Sequence, residues 1–359
     1  MNFYCSPLES SFPELIDLNT IKTKNGWYVS LDNGWDIRDD HAFKGINSSW
    51  CRIEFKEEFS ITTNELRDFP IFYHDTCVTN ILRHTPLLPT DGNVYWKDGK
   101  VQTTWNKDFY PEYDGSALTF DQSHKILFNI LCESVELFAT NNSMPIYIPM
   151  QGGLDSLTVR SVFDYLEVKY KFFDMPEQVP VQGKLQKKLK SNVWGFGQVR
   201  EMDNSVIVTG FHGDEWILRN PYYAHVLLSQ QGKSIVDEFD QVDQCYMKDY
   251  FNSNYKSKCS EKTTMTVHKL QTMMCNDYQI WHLNKTYFFS PLKHKGLLQL
   301  LNADSNTIIE QVTKASLSKS IIEKCNNQLL GKLDKVKNMN DPIYFPLDID
   351  KNHNVIYNN

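Results

Sequence analysis

Pro149-Met150-Gln151-Gly152-Gly153-Leu154-Asp155-Ser156-Leu157-Thr158 is the stretch from which the rest of the chain can be read. The residues before it, Ile146-Tyr147-Ile148, form a short apolar run of the kind that makes a buried strand. After it, Leu157, Val162, Phe163 and Leu166 recur at helical spacing. Two glycines followed by Asp and Ser therefore stand at a strand-to-helix turn. There, backbone N–H groups and a helix N-terminus converge on an anion, usually a phosphate. Ser156 is placed to cap the helix and still offer its hydroxyl. Asp155 repels a phosphate unless a divalent cation lies between the two, so the local reading is a metal-assisted nucleotide site.

The chain has 359 residues, enough for two ordinary domains, with 41% hydrophobic and 23% charged residues. This is the composition of a globular protein, and its 13% aromatic content can fill a substantial core. A net charge of -7 argues against non-specific nucleic-acid binding. The Lys-rich run Lys184-Leu185-Gln186-Lys187-Lys188-Leu189-Lys190 reads as a solvated helix face, because no aromatic residues interleave for base stacking. The eight cysteines contain no CxxC pair, which points to free thiols rather than a zinc ribbon. The start, Met-Asn-Phe-Tyr-Cys, lacks the basic and apolar regions of a signal peptide, and no apolar run reaches membrane-span length. A cytoplasmic protein that does not enter the membrane is expected.

Residues 1–115 read as a β-rich domain. Trp27–Leu31, Trp50–Phe55, Pro70–Tyr73 and Cys77–Leu82 are short alternating or apolar runs. Asp98-Gly99 joins two hairpin arms, 93–96 and 101–105. From residue 116 the periodicity changes. Ser123 is placed to cap a helix that buries Ile126, Leu127, Ile130, Leu131, Val135 and Phe138. Strand candidates at 146–148, 170–173 and 206–209 alternate with helical segments. The last of these strands leads into Gly210-Phe211-His212-Gly213-Asp214-Glu215. Such alternation predicts an α/β domain with a parallel sheet over 116–340, its ligand at the carboxyl ends of the strands. Residues 265 onward read as mostly helical, and 341–359 as an irregular C-terminal tail.

Together the two turns resemble the synthetase half of the asparagine synthetase family, an N-type ATP pyrophosphatase (PP-loop, adenine nucleotide alpha hydrolase-like) fold. The family's Ser-Gly-Gly-x-Asp-Ser loop is matched by Gln151-Gly152-Gly153-Leu154-Asp155-Ser156, and its Ser-Gly-x-x-x-Asp-Glu signature by Thr209-Gly210-Phe211-His212-Gly213-Asp214-Glu215. Softer matches are Phe289-Ser290-Pro291-Leu292-Lys293-His294-Lys295, the run 318–324, and Lys335-Val336-Lys337. The first domain resembles a degenerate glutaminase half through Arg67-Asp68-Phe69-Pro70-Ile71-Phe72-Tyr73. A glutaminase of that kind needs a cysteine after the initiator methionine, where this chain has Asn2. Glutaminase activity is therefore not expected.

The resemblance implies an ATP-dependent carbon-nitrogen ligase that forms AMP and pyrophosphate. ATP would lie over Gln151, Gly152, Gly153, Asp155 and Ser156, with Gly210 beside it. Asp155 and Asp214 would hold Mg²⁺, although an aspartate opening a helix is also explained as a simple cap. Lys337, with Lys335 as the second choice, would face the phosphate charge. Gln151 stands where the family places serine, and its amide can donate in the hydroxyl's place. Phe211 stands where the family places a Glu or Tyr that activates the incoming nitrogen, and phenylalanine cannot accept a proton. His212 has a suitable ordinary pKa to substitute. The expected partners are a small-molecule carboxylate and an amine other than the family's usual pair, not nucleic acid or membrane; a homodimer is left open. Two other readings remain: a catalytically weakened nucleotide-binding or regulatory relative, and a PP-loop enzyme modifying a nucleobase or tRNA.

Overall fold

Short runs of Val, Ile, Thr, Tyr and Phe recur through the first hundred residues and fold as strands, as their β-branched and aromatic composition favours. The computed structural model describes residues 3–6, 19–22, 28–31, 51–55, 59–63, 71–74, 77–79, 92–97, 100–105, 116–150, 153–173, 205–210, 213–218, 287–333, 347–349 and 355–357. The chain divides into two compact units, one of 1–44, 49–116 and 229–278, the other of 45–48, 117–228 and 279–359.

The described part of the first unit is two antiparallel sheets. Its strands are β1 (Phe3–Ser6), β2 (Asn19–Lys22), β3 (Tyr28–Leu31), β4 (Cys51–Phe55), β5 (Phe59–Thr63), β6 (Phe72–His74), β7 (Cys77–Thr79), β8 (Gly92–Lys97) and β9 (Lys100–Trp105). One sheet runs in the order β2-β3-β1-β7-β6, the other β4-β5-β8-β9. The β8–β9 register closes with Lys97 opposite Lys100, which leaves two residues to connect the strands. Cys5, Ile61, Ile71, Val78 and Val94 are the buried apolar side chains described here.

In the second unit, α1 (Phe120–Asn141) opens with a capping box at Thr119. The Gln122 amide donates to Thr119 Oγ1 at 3.4 Å, and the Thr119 amide donates to Gln122 Oε1 at 2.9 Å. Ser123 is therefore not the cap; it is buried one turn inside the helix. Leu127, Ile130, Leu131 and Val135 form the buried face as expected, while Ile126 and Phe138 are half-buried.

Beyond α1 come β10 (Ile146–Pro149), α2 (Leu154–Tyr165), β11 (Lys171–Phe173), β12 (Val206–Val208), α3 (Gly213–Trp216) and β13 (Tyr287–Phe289). The four strands form one sheet in the order β11-β10-β12-β13, with every described pairing parallel. The fold is therefore mixed helix and strand with a parallel sheet. The chain leaves β10, crosses through α2 to β11 on one side, and later returns to β12 on the other. The strand order thus reverses between β10 and β12.

A 3-10 helix (Lys295–Asn302) follows β13, then α4 (Ser305–Lys314), α5 (Ser316–Asn326), a 3-10 turn (Asn327–Leu329) and α6 (Leu330–Leu333). In α2 all residues from Leu157 to Phe163 are buried. Leu154 and Leu157 join Ala315, Ile322 and Leu329 in one hydrophobic cluster, with Leu330 against it. Phe138 of α1 stacks on Phe289 of β13 at 3.9 Å between ring centroids. The entry to α1 is pinned by a bridge: the Leu118 amide donates to the Asn302 carbonyl at 2.9 Å, and the Asp304 amide donates to the Leu118 carbonyl at 2.8 Å. The C-terminal residues are not wholly irregular. β14 (Leu347–Ile349) and β15 (Val355–Tyr357) pair antiparallel. No helix among the described residues is long and apolar enough to cross a membrane.

Candidate functional site

Four residues, 150–153, separate the end of β10 from the start of α2. Met150 is exposed, and Gly153 is the N-cap in extended backbone, φ -66° and ψ -179°. Because the helix begins at Leu154, Ser156 lies at the third helical position and is not the cap. It is half-buried in the first turn, where its own amide is one of the helix's orphan donors. Asp155 is the acidic residue of that first turn, in favourable register with the helix dipole. Its Oδ1 atom is buried.

β12 ends at Val208, and the chain then turns sharply. The Thr209 amide donates to the Phe289 carbonyl at 2.9 Å, holding the start of the turn to β13. The Gly213 amide donates to the Gly210 carbonyl at 3.1 Å, closing the turn, and the Ile217 amide donates to the Gly213 carbonyl at 3.0 Å. This turn lies directly on the start of α2. A Cβ on Gly210 would come 2.7 Å from the Asp155 carbonyl oxygen, and one on Gly213 would come 2.7 Å from Asp155 Oδ1. Both would also clash with carbon atoms of Asp155. The two motifs read from the sequence are thus in contact at the carboxyl ends of neighbouring parallel strands, where the strand order reverses. Crevices at such switch points are where open α/β sheets bind ligands.

The predicted site residues divide as follows. Gly153, Asp155, Ser156 and Gly210 gather here. Asp214 directly follows Gly213 as the second residue of α3, and its side chain lies outside the described residues, as does that of Glu215. Gln151, Gly152, Phe211, His212, Lys335 and Lys337 also lie outside the described residues. α6 ends at Leu333, two residues before Lys335. Its Leu330 packs on the same cluster as Leu154 and Leu157 of α2. Gly213 was given no site role of its own in the sequence reading. It stood inside the second motif, but nothing in the spacing says that it touches Asp155.

Of the two carboxylates named for Mg²⁺, that of Asp155 is among the described side chains and that of Asp214 is not. Among the described residues no group of three or more His, Cys, Asp and Glu side chains gathers to cage a metal. Mg²⁺ needs no such cage, since it is commonly held by one or two carboxylates together with substrate phosphates. The cradle at Gly210 and Gly213, which a Cβ would fill, brings the Asp155 carboxyl against the segment leading into Asp214.

Two other groups stand near this end of the sheet or bear on its chemistry. The segment after β13 carries Lys293, His294 and Lys295, all half-buried. His294 Nδ1 accepts from the Gly296 amide at 3.0 Å, starting the 3-10 helix. In the first unit, Cys5 is fully buried in β1, between Val29 of β3 and Val78 of β7. Cys77, Cys132 and Cys325 are free thiols. Compared with known families and curated proteins, the chain matches no family model and no curated protein.

Proposed function

We propose that the chain is an ATP-dependent, AMP-forming ligase built on a PP-loop fold, joining a carboxylate to a nitrogen nucleophile. The observation that carries this reading is the contact between Asp155 and the Gly210–Gly213 turn at the switch point of the parallel sheet. It puts an acidic helix N-terminus beside a second turn that leads straight into Asp214, at the end of the sheet where nucleotides bind.

In this reading the backbone amides of 152–156 and the Ser156 hydroxyl hold the ATP phosphates. Asp155 and Asp214 hold Mg²⁺, whose chemistry is to neutralise phosphate charge. An oxygen of the substrate carboxylate attacks the α-phosphorus, the bond to the bridging oxygen breaks, and pyrophosphate leaves. Lys337 or Lys335 faces the negative charge developing on that leaving group. The nitrogen nucleophile then attacks the acyl carbon of the acyl-adenylate, AMP departs, and His212 takes the proton released by the amine.

The test is pyrophosphate release from ATP and Mg²⁺ across a panel of carboxylates, with nucleotide binding followed in parallel by calorimetry. Release that disappears in Asp155→Ala and in Asp214→Ala is the expected result. Binding of ATP with no turnover on any carboxylate would instead mark a regulatory relative. No binding of ATP under any condition would overturn the reading.

A further inference from the structure

Gly210 and Gly213 press on different parts of Asp155. A Cβ on Gly210 would strike backbone, the carbonyl group of Asp155 and the amide nitrogen of Ser156. A Cβ on Gly213 would strike side chain, the Cβ, Cγ and Oδ1 of Asp155. The 3.1 Å hydrogen bond from the Gly213 amide to the Gly210 carbonyl ties the two contacts together. The turn therefore grips one residue twice, once by its peptide and once by its carboxyl arm.

An aspartate in the first turn of a helix would otherwise choose among staggered χ1 rotamers. With the Gly213 backbone against its Cβ and Cγ, and Oδ1 buried, Asp155 has little room to leave the rotamer it holds. We propose that Gly213 is a positioning residue for Asp155: its missing side chain lets the turn close and fixes the carboxylate that would share Mg²⁺ with Asp214. The inference rests on the ligase reading for the identity of the ion. Mg²⁺ demands near-octahedral oxygen geometry, so a carboxylate locked in advance binds it better than one that must be ordered. Gly210 has a separate task, since it fixes the backbone on which that carboxylate stands.

The experiment uses the full chain, with calorimetry of ATP binding in the presence and absence of Mg²⁺, and melting curves without ligand. Gly213→Ala is expected to push the Asp155 carboxyl aside. Binding of Mg²⁺–ATP should weaken by about 10- to 100-fold, the usual cost of losing a group that orients a metal ligand, with Mg²⁺-free ATP binding little changed. In an Asp155→Gly background, where the clash is removed, Gly213→Ala should cost no further affinity and lower the melting temperature less than it does in the unsubstituted protein. Mg²⁺–ATP affinity unchanged by Gly213→Ala would overturn this inference alone. Equal losses of melting temperature in both backgrounds would also overturn it, because the clash would then not be with Asp155. Failure of the unsubstituted chain to bind ATP with or without Mg²⁺ would overturn the ligase reading and this inference together.

Discussion

The Tyr170 hydroxyl donates to Asp164 Oδ1 at 2.5 Å and accepts from Arg160 Nε at 3.2 Å. Asn326 of α5 donates to the other Asp164 oxygen at 2.7 Å, and the Arg160 guanidinium lies 4.4 Å from the centre of the Phe172 ring. These side chains join the end of α2, the start of β11 and the end of α5. Burial, and then the carboxylate that Tyr170 donates to, push its phenol up to about 12. The folded value is above the ordinary value of about 10, so the neutral phenol is the form that folding favours. Its stabilisation is complete below pH 10 and is lost as pH rises through about 12. The chain has 18 tyrosines, so the expected check is a difference titration. The ultraviolet phenolate signal missing from Tyr170→Phe should be the one that titrates near pH 12. Cys325 behaves in the same direction. Burial pushes its thiol up to about 11, which makes it a packed thiol at neutral pH rather than a nucleophile. At this scale the sequence was legible where a residue type has one main use. Asp155 after two glycines was read as site material, and it lies against the turn that follows β12. The Asp164–Tyr170–Asn326 network was not legible, because it joins residues 162 positions apart.

Gln311 is fully buried near the end of α4 and does for α5 what its own N-cap cannot. The residue between the two helices is Ala315, in the left-handed region at φ 54°, with no side chain to offer an orphan amide. Gln311 Oε1 accepts from the Leu317 amide at 2.7 Å, and its Nε2 donates to Ser318 Oγ at 3.0 Å. Gln311→Leu keeps the bulk and removes the acceptor, leaving a buried amide without its partner at a cost of about 1–3 kcal/mol. The Leu317 amide should then exchange with solvent about tenfold faster or more, a rise that hydrogen exchange would read directly. An unchanged Leu317 amide would mean that the cap carries no weight. The sequence located helices better than it located their starts. In α1 the cap fell at Thr119 rather than Ser123, and in α2 at Gly153 rather than Ser156. Each stretch holds more than one residue able to cap, and the packing of the apolar face selects among them. The β14–β15 pair escaped notice because short strands are recognised by their partners, which local composition does not name.

The second unit is a parallel sheet whose order reverses at β10 and β12, and the candidate site follows from that topology more than from any single side chain. Runs at 146–148, 170–173 and 206–209, alternating with helical segments, were enough to expect parallel pairing. β13 was not read as a strand, since Tyr287-Phe288-Phe289 is as consistent with a buried helix as with a strand. What the sequence could not supply was distance: the turns after β10 and β12 are separated by more than fifty residues of chain, yet Gly213 and Asp155 touch. At this scale the acidic net charge of -7 gives a further expectation. Binding to duplex RNA should be weak at physiological salt and should show little of the steep salt dependence that basic proteins have, as a filter-binding salt series would test.

The bridge of Leu118 to Asn302 and Asp304 has a consequence for the covalent chain itself. It joins two stretches that lie on opposite sides of the segment between β11 and β12. The β10–β12 ladder, the Phe138–Phe289 stack and the Asp164–Asn326 bond do the same. The interior of the second unit is therefore a shared interface between an earlier and a later length of polypeptide. Two separately synthesised pieces, residues 1–186 and 187–359, should find each other and co-purify as a complementing pair. Pieces that elute apart on size-exclusion chromatography would show that the peptide bond, and not the packed interior, keeps the two halves together.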